Sequence, residues 1–276
     1  MTSILMSTYN GERYLREQID SILAQTDREW QLLVRDDGSK DSTPAILAEY
    51  AAAHSDKVRI LADEHKNLGS KASFEYLLQH APAEADYFMF ADQDDVWLPE
   101  KLALTKAKMQ VLEALNGTHK PIVVHTDLRV VDEDLKEMHP SFWRYSNIRP
   151  DILDREVHYL AICNAVTGCA MLFNRAAKQV SLPFADYAYM HDQWIGIKVM
   201  AEGGIICPMP EPTLLYRQHR KNVVGAVSYH FTLGEWSHKW MLAKRAYTAA
   251  HPLIWKSPLH FLWWKTKYFF KLHSER

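Results

Sequence analysis

Three carboxylates fall within four residues at Asp92, Asp94 and Asp95, in the stretch Phe90-Ala91-Asp92-Gln93-Asp94-Asp95-Val96-Trp97. Charges this close repel one another and cannot all stay ionised cheaply without a counter-charge. A divalent cation is the simplest one. A lone Asp here would be a loop residue or a helix cap; the cluster favours a metal. Two more positions suit a nucleoside: Tyr9, whose ring can stack on a base, and Asp37, which can accept from a pyrimidine N–H. Turns are rich in Asn, Gly and Asp for backbone reasons, so neither speaks alone. Together with the acidic cluster they converge on a nucleotide held through a metal.

Those groups must be positioned. Asp86-Tyr87-Phe88-Met89 reads as a buried strand ahead of the cluster, and Pro99 opens a helical run to about Leu115. Ser3–Ser7, Gln31–Val34 and Val58–Leu61 read as earlier strands. Helices are expected over about 12–25, from Thr43 and Pro44, and through Phe74, Leu77 and Leu78. This alternation predicts βαβ units and a mostly parallel, Rossmann-like sheet. All three candidate sites then lie at strand carboxyl ends, the ligand edge of such a sheet. Neither G-x-G-x-x-G nor G-x-x-x-x-G-K-[ST] occurs, which disfavours dinucleotide and P-loop chemistry.

Ser7-Thr8-Tyr9-Asn10-Gly11, Ser21-Ile22-Leu23-Ala24-Gln25-Thr26, Asp36-Asp37-Gly38-Ser39-Lys40-Asp41-Ser42-Thr43 and Asp92-Gln93-Asp94-Asp95 occur in this order in the first 100 residues. They resemble glycosyltransferase family 2, inverting nucleotide-sugar transferases with the GT-A fold. The resemblance implies Tyr9 and Asp37 at the base and Asp92 near the ribose. It puts Asp94 on Mg²⁺ or Mn²⁺ bridging the diphosphate, with Thr8, Asn10 and Lys71 among the other donor contacts.

In the second half, Pro121–His125 and Asp127–Asp132 read as two strands, and residues 133–160 as a flexible polar excursion. Thr167-Gly168-Cys169 is a turn entering a strand. By resemblance it is the loop beside the donor sugar, where Gly168 permits close backbone approach. Met190-His191-Asp192-Gln193-Trp194 opens a helix, where Asp192 could simply answer the helix dipole. An inverting transfer needs one carboxylate to take the acceptor hydroxyl proton, and the segment resembles the family's acidic motif with His191 replacing Glu. Asp192 is the expected base. Thr213–Leu215 reads as a strand, after which Arg217, His219, Arg220 and Lys221 form a cluster suited to a diphosphate; the resemblance gives His219 a place at the metal or diphosphate. Gln-x-x-Arg-Trp, found in processive members, is absent, and a polymer-extruding synthase is not expected.

The formal charge of −2 is unevenly spread. Residues 236–276 hold eight Lys/Arg against one Glu, and five of the nine tryptophans. From Leu259, the residues Leu262, Trp263, Phe269 and Phe270 share one helical face, and His260, Trp264, Lys267 and Lys271 another. Such a tail suits an anionic membrane surface; packing on the domain is the plainer alternative. Nucleic acid is not expected, because no recognition motif accompanies the charge. No apolar run reaches the roughly 18 residues that span a bilayer, and no signal peptide is visible. Cys163, Cys169 and Cys207 read as packing residues of a reducing compartment.

The expectation is an α/β GT-A domain over 1–235, with a nucleotide-sugar half (1–116) and an acceptor and catalytic half (117–235), then a helical tail over 236–276. It would be cytoplasmic, in peripheral contact with the inner membrane face, with a glycan or lipid-linked glycan as acceptor in surface-polysaccharide synthesis. His191-Asp192, Thr167-Gly168-Cys169 and Tyr216–His219 resemble rhamnosyltransferases, which points to dTDP-L-rhamnose as donor. UDP-galactose or UDP-glucose comes next, since Tyr9 and Asp37 cannot tell thymine from uracil. A nucleotidyltransferase would need a glycine- and arginine-rich first loop, absent here. An inactive glycan- or lipid-binding module would have lost Asp94 or Asp192, and both are present.

Overall fold

A computed structural model of the protein describes residues 1–64, 67–219, 243–244, 246–251 and 253–274. The nine strands among them, all in one sheet, are β1 (Thr2–Thr8), β2 (Trp30–Asp36), β3 (Val58–Ile60), β4 (Tyr87–Ala91), β5 (Val96–Trp97), β6 (Ile122–Val131), β7 (Glu137–His139), β8 (Met171–Asn174) and β9 (Ile205–Arg217). Their order is β3-β2-β1-β4-β8-β6-β9-β5, with β7 on β6. The long pairings, β1 with β2 and β4 and β6 with β9, are parallel; β8 enters antiparallel between β4 and β6. This is the mixed, mostly parallel sheet expected of GT-A.

The two-residue period of a strand sorts side chains into two cores. Ile4 and Met6 of β1 join a layer with α1 (Leu15–Leu23), α2 (Thr43–Ala53) and α4 (Lys101–Asn116). Leu5 joins the other, with α3 (Gly69–Gln79), α7 (Val157–Ile162), α8 (Arg175–Ser181) and α9 (His191–Ala201). The helix Pro258–Ser274 also packs into that second layer through Phe261 and Trp264, and Trp264 stacks on His158 at 4.0 Å. Among the described residues no helix is long and apolar enough to cross a membrane.

Three local expectations need correction. The two strands expected within 121–132 are one, β6 (Ile122–Val131): its ladder with β9 continues past register shifts around Thr126–Arg129. Asp127 stays in the strand because its carboxylate is used. It accepts from Ser141 Oγ (2.5 Å) and the Trp143 N–H (3.0 Å), anchoring α5 (Phe142–Tyr145). Residues 133–160 are accordingly structured, with β7, α5, α6 (Pro150–Leu153) and the start of α7, and Ile152, Leu153, Tyr159 and Leu160 in the core. The strand expected at Thr213–Leu215 is the end of the thirteen-residue β9. Arg220, Lys221, Trp236 and Trp240 lie outside the described residues.

Candidate active site

Parallel register brings the candidate residues to one sheet edge. Thr8 pairs with Asp36, and Met6 with Ala91, so Tyr9, Asp37 and Asp92 each follow the end of a neighbouring strand. The second half arrives from the other side. β5 pairs antiparallel with β9, Val96 opposite Leu215, which sets Asp94 and Asp95 beside Tyr216–His219.

His219 Nε2 lies 2.7 Å from Asp94 Oδ2, and its ring stacks on Tyr14 with centroids 5.1 Å apart. The backbone beneath is pinned. Gln18 Nε2 donates to the Asp92 carbonyl (2.9 Å), and Gln93 closes a two-way bridge to the Tyr9 N–H and carbonyl (2.8 and 3.1 Å). Gln93 was not singled out from the sequence, although an amide between two metal-type carboxylates is a signal for such a tie.

Deeper still, Asp95 is fully buried with Lys101 and Cys169. Lys101 Nζ donates to the Cys169 carbonyl (2.9 Å) and Thr213 Oγ1 (3.3 Å). Burial lowers its ammonium to about 8. Burial likewise pushes the Asp95 carboxyl and the Cys169 thiol up, reinforced by the neighbouring acids. The cysteine packs, as expected, but against the acidic cluster.

Asp192 opens α9. Its Oδ2 accepts from the Gly168 N–H (3.1 Å) and Oδ1 from the Gln193 N–H (2.6 Å). Burial raises the carboxyl to about 6, with those backbone bonds pulling the other way. Gly168 is required by His191: a Cβ there would sit 2.5 Å from His191 Nε2. The imidazole cannot retreat, held between Phe74 (4.3 Å) and Phe90 (4.7 Å). Gly168→Ala should therefore cost about 1–3 kcal/mol through overpacking, read as a lower chemical-denaturation midpoint.

At the carboxyl end of β2, Arg35 Nη1 donates to Asp37 Oδ1 (2.8 Å) and Nε to Asp63 Oδ2 (2.5 Å), all nearly inaccessible to solvent. The Leu68 and Gly69 N–H groups also donate to the Asp37 carboxylate (2.8 and 2.9 Å). Arg35→Met should cost about 3–5 kcal/mol, because it strands two buried carboxylates; thermal unfolding would read this as a clearly lower Tm.

One cavity of about 1280 Å³ joins these groups. Thr8, Tyr9, Asn10 and Asp37 line it at the ends of β1 and β2; Asp92, Asp94 and His219 at the acidic cluster; Gly168 and Asp192 beyond. Thr8 Oγ1 donates to Asp36 Oδ1 (3.0 Å), and Asn10 Oδ1 accepts from the Lys40 N–H (2.8 Å), so both shape the turn around the exposed Tyr9. Lys71 and Arg217 do not belong to this wall. Lys71 Nζ reaches the carbonyls of Asp186 (3.0 Å) and Ala185 (3.5 Å). Arg217 is buried, donating to the carbonyls of Asp94 and Glu133 and to Glu17, with its guanidinium over Tyr14. It holds the Asp94 backbone.

The residues present fit a divalent cation. Asp94 and His219 offer a carboxylate oxygen and an imidazole nitrogen side by side; the carboxylate suits Mg²⁺ or Mn²⁺, and the imidazole suits softer first-row ions. Burial, then the charges of Asp94 and Asp192, push the Asp92 carboxyl up to about 7.

Known proteins match this architecture. An uncharacterized glycosyltransferase of Rickettsia typhi is 29% identical over 204 residues, 72% of this chain and 58% of that one. The dTDP-rhamnosyl transferase RfbG of Shigella flexneri is 36% identical over 98 residues, 35% of this chain and 34% of that one. The chain thus spans less than two thirds of the length of these curated relatives. Among solved structures, S. aureus TarS in complex with UDP-GlcNAc superposes with a TM-score of 0.60 at 16% identity, over 97% of this chain and 71% of that one. The mannosyltransferase PcManGT of Pyrobaculum calidifontis, with GDP-Man and Mn²⁺, gives 0.58 at 18% identity, over 80% and 58%. At such identities these two speak for the fold. The family model for Glycosyl transferase family 2 matches residues 3–180, more than half of the chain, which therefore belongs to that family.

Proposed function

We propose that this chain transfers a sugar, with inversion and with the help of a divalent cation, from a nucleoside diphosphate sugar to a hydroxyl of a glycan or lipid-linked glycan. One observation carries this: the Asp192 carboxylate, oriented by two backbone N–H groups, shares a cavity with Asp94, His219 and the Tyr9–Asp37 nucleoside edge. The base stacks on Tyr9, and the remaining acceptor capacity of Asp37 meets its N–H. Asp94 and His219 would hold the cation, which supplies neutralisation of the diphosphate leaving group. Asp192 accepts the acceptor's hydroxyl proton as that oxygen bonds to the anomeric carbon. The old bond to the diphosphate breaks with its electron pair, and the anomeric centre inverts.

For the donor, dTDP-L-rhamnose comes first, supported by the 98-residue likeness to RfbG. A UDP-hexose is the second reading, favoured because Tyr9 and Asp37 recognise what thymine and uracil share. The setting we propose is surface-polysaccharide synthesis at the cytoplasmic side of a membrane. NMR of the product from each donor tests the reaction: an inverted anomeric configuration is expected, and retention would contradict a single displacement with Asp192 as base.

A further inference from the structure

The helix Pro258–Ser274 is apolar on two opposite sides. Its inner side is used: Phe261 and Trp264 are buried in the core, and Phe261, Lys265, Tyr268, Phe269 and Leu272 form one wall of the catalytic cavity. Its outer side carries Leu259, Leu262, Trp263 and Phe270, which are 53–77% exposed. Leu262, Trp263, Thr266, Lys267 and Phe270 also line a shallow groove of about 520 Å³ on that side. Water gains nothing from so contiguous an apolar face, and such patches mark interaction surfaces.

Charge says what covers it. The helix contains Lys265, Lys267 and Lys271 and no Asp or Glu, and the exposed Lys256 lies just ahead of it. Lys267 Nζ sits over the rings of Trp263 (5.2 Å) and Trp264 (4.3 Å), at the boundary of the apolar face. Large apolar side chains flanked by ammonium groups, with tryptophan between them, match the layering of an anionic lipid surface: hydrocarbon, interface, phosphate. We infer that the outer face of this helix beds into the headgroup region of an anionic bilayer, bringing the mouth of the catalytic cavity to the lipid. The docking does not depend on the transferase reading.

Co-sedimentation of the full chain with vesicles tests it, comparing mixed phosphatidylglycerol and phosphatidylcholine with phosphatidylcholine alone, at low and high salt. Wild type should pellet with the anionic vesicles and be released by salt, since exposed charge attraction is screened. L262E/W263E/F270E should abolish pelleting, and K256Q/K267Q should weaken it about tenfold or more. The altered side chains are exposed, so the dTDP-induced thermal shift should match wild type in both variants; that readout keeps loss of docking separate from loss of the donor site. If the triple variant melts early, K256Q/K267Q decides. Pelleting indifferent to phosphatidylglycerol, or undiminished in either variant, would overturn the inference. So would a wild-type dimer, absent from vesicles, that L262E/W263E/F270E converts to monomer, since the face would then cover a second copy.

Discussion

Asp192→Asn is expected to lower kcat by about a hundred- to ten-thousand-fold, the usual contribution of a positioned general base, with nucleotide affinity unchanged. The asparagine is nearly isosteric, and its carbonyl oxygen can still accept one of the backbone N–H groups of Gly168 and Gln193 that hold the acid. What it loses is the capacity to take a proton. Single-turnover transfer and a nucleotide titration on the same sample separate the two effects. Full turnover by the variant would assign the base elsewhere. The same carboxyl sets a pH dependence. Burial raises it to about 6, and the ionised form is the base we propose, so kcat/KM should be full above that value and fall as pH drops through it. Since the folded value lies above that of an unfolded carboxyl, the ionised group costs stability at neutral pH. That cost is relieved as pH falls through 6. Activity and stability should therefore move in opposite directions between pH 7 and 5, measured by initial rates and by denaturation midpoints.

Asp94→Ala should remove metal-dependent binding of the donor, the larger effect on affinity. Asp94 is the carboxylate that reaches both the cavity and His219, whereas Asp95 is buried beneath it against Lys101 and Cys169. Losing it removes the anionic ligand we propose for the cation and leaves His219 without its 2.7 Å partner. In calorimetric titrations with Mn²⁺, wild type should bind dTDP or UDP and the variant should show no metal-dependent heat. Wild-type affinity in the variant would remove Asp94 from the cation site.

The first hundred residues were legible because chemistry and period coincide there. Tyr9, Asp37 and Asp92 each follow a short buried strand, and the parallel register that brings them together follows from βαβ connection rules. Asp94 and His219 are 125 residues apart, and only the β5–β9 pairing joins them; the sequence offered their types, and the family resemblance supplied the pairing. Long side chains were less legible. Lys71 and Arg217 stand in fitting sequence positions, yet a flexible side chain takes its direction from partners that no spacing reveals, here the Ala185–Asp186 carbonyls and the Glu17–Glu133–Asp94 network. Residues 121–132 read as two strands, with Asp127 opening the second, whereas Asp127 lies inside the single strand β6 and anchors α5 from there. The four- to six-residue helices α5, α6 and α7 are too short to show a helical period at all.

The most direct measurement is a thermal-shift titration of the unmodified protein with dTDP, UDP, GDP and their sugars, each with Mn²⁺, Mg²⁺ or EDTA. A ligand that binds only the native state stabilises it by about 2.7 kcal/mol at a hundredfold excess over Kd. A rise in Tm with dTDP or UDP compounds that EDTA abolishes is the predicted result. No shift with any nucleotide in a folded sample, or a shift indifferent to EDTA, would contradict a donor site built on Asp94 and His219.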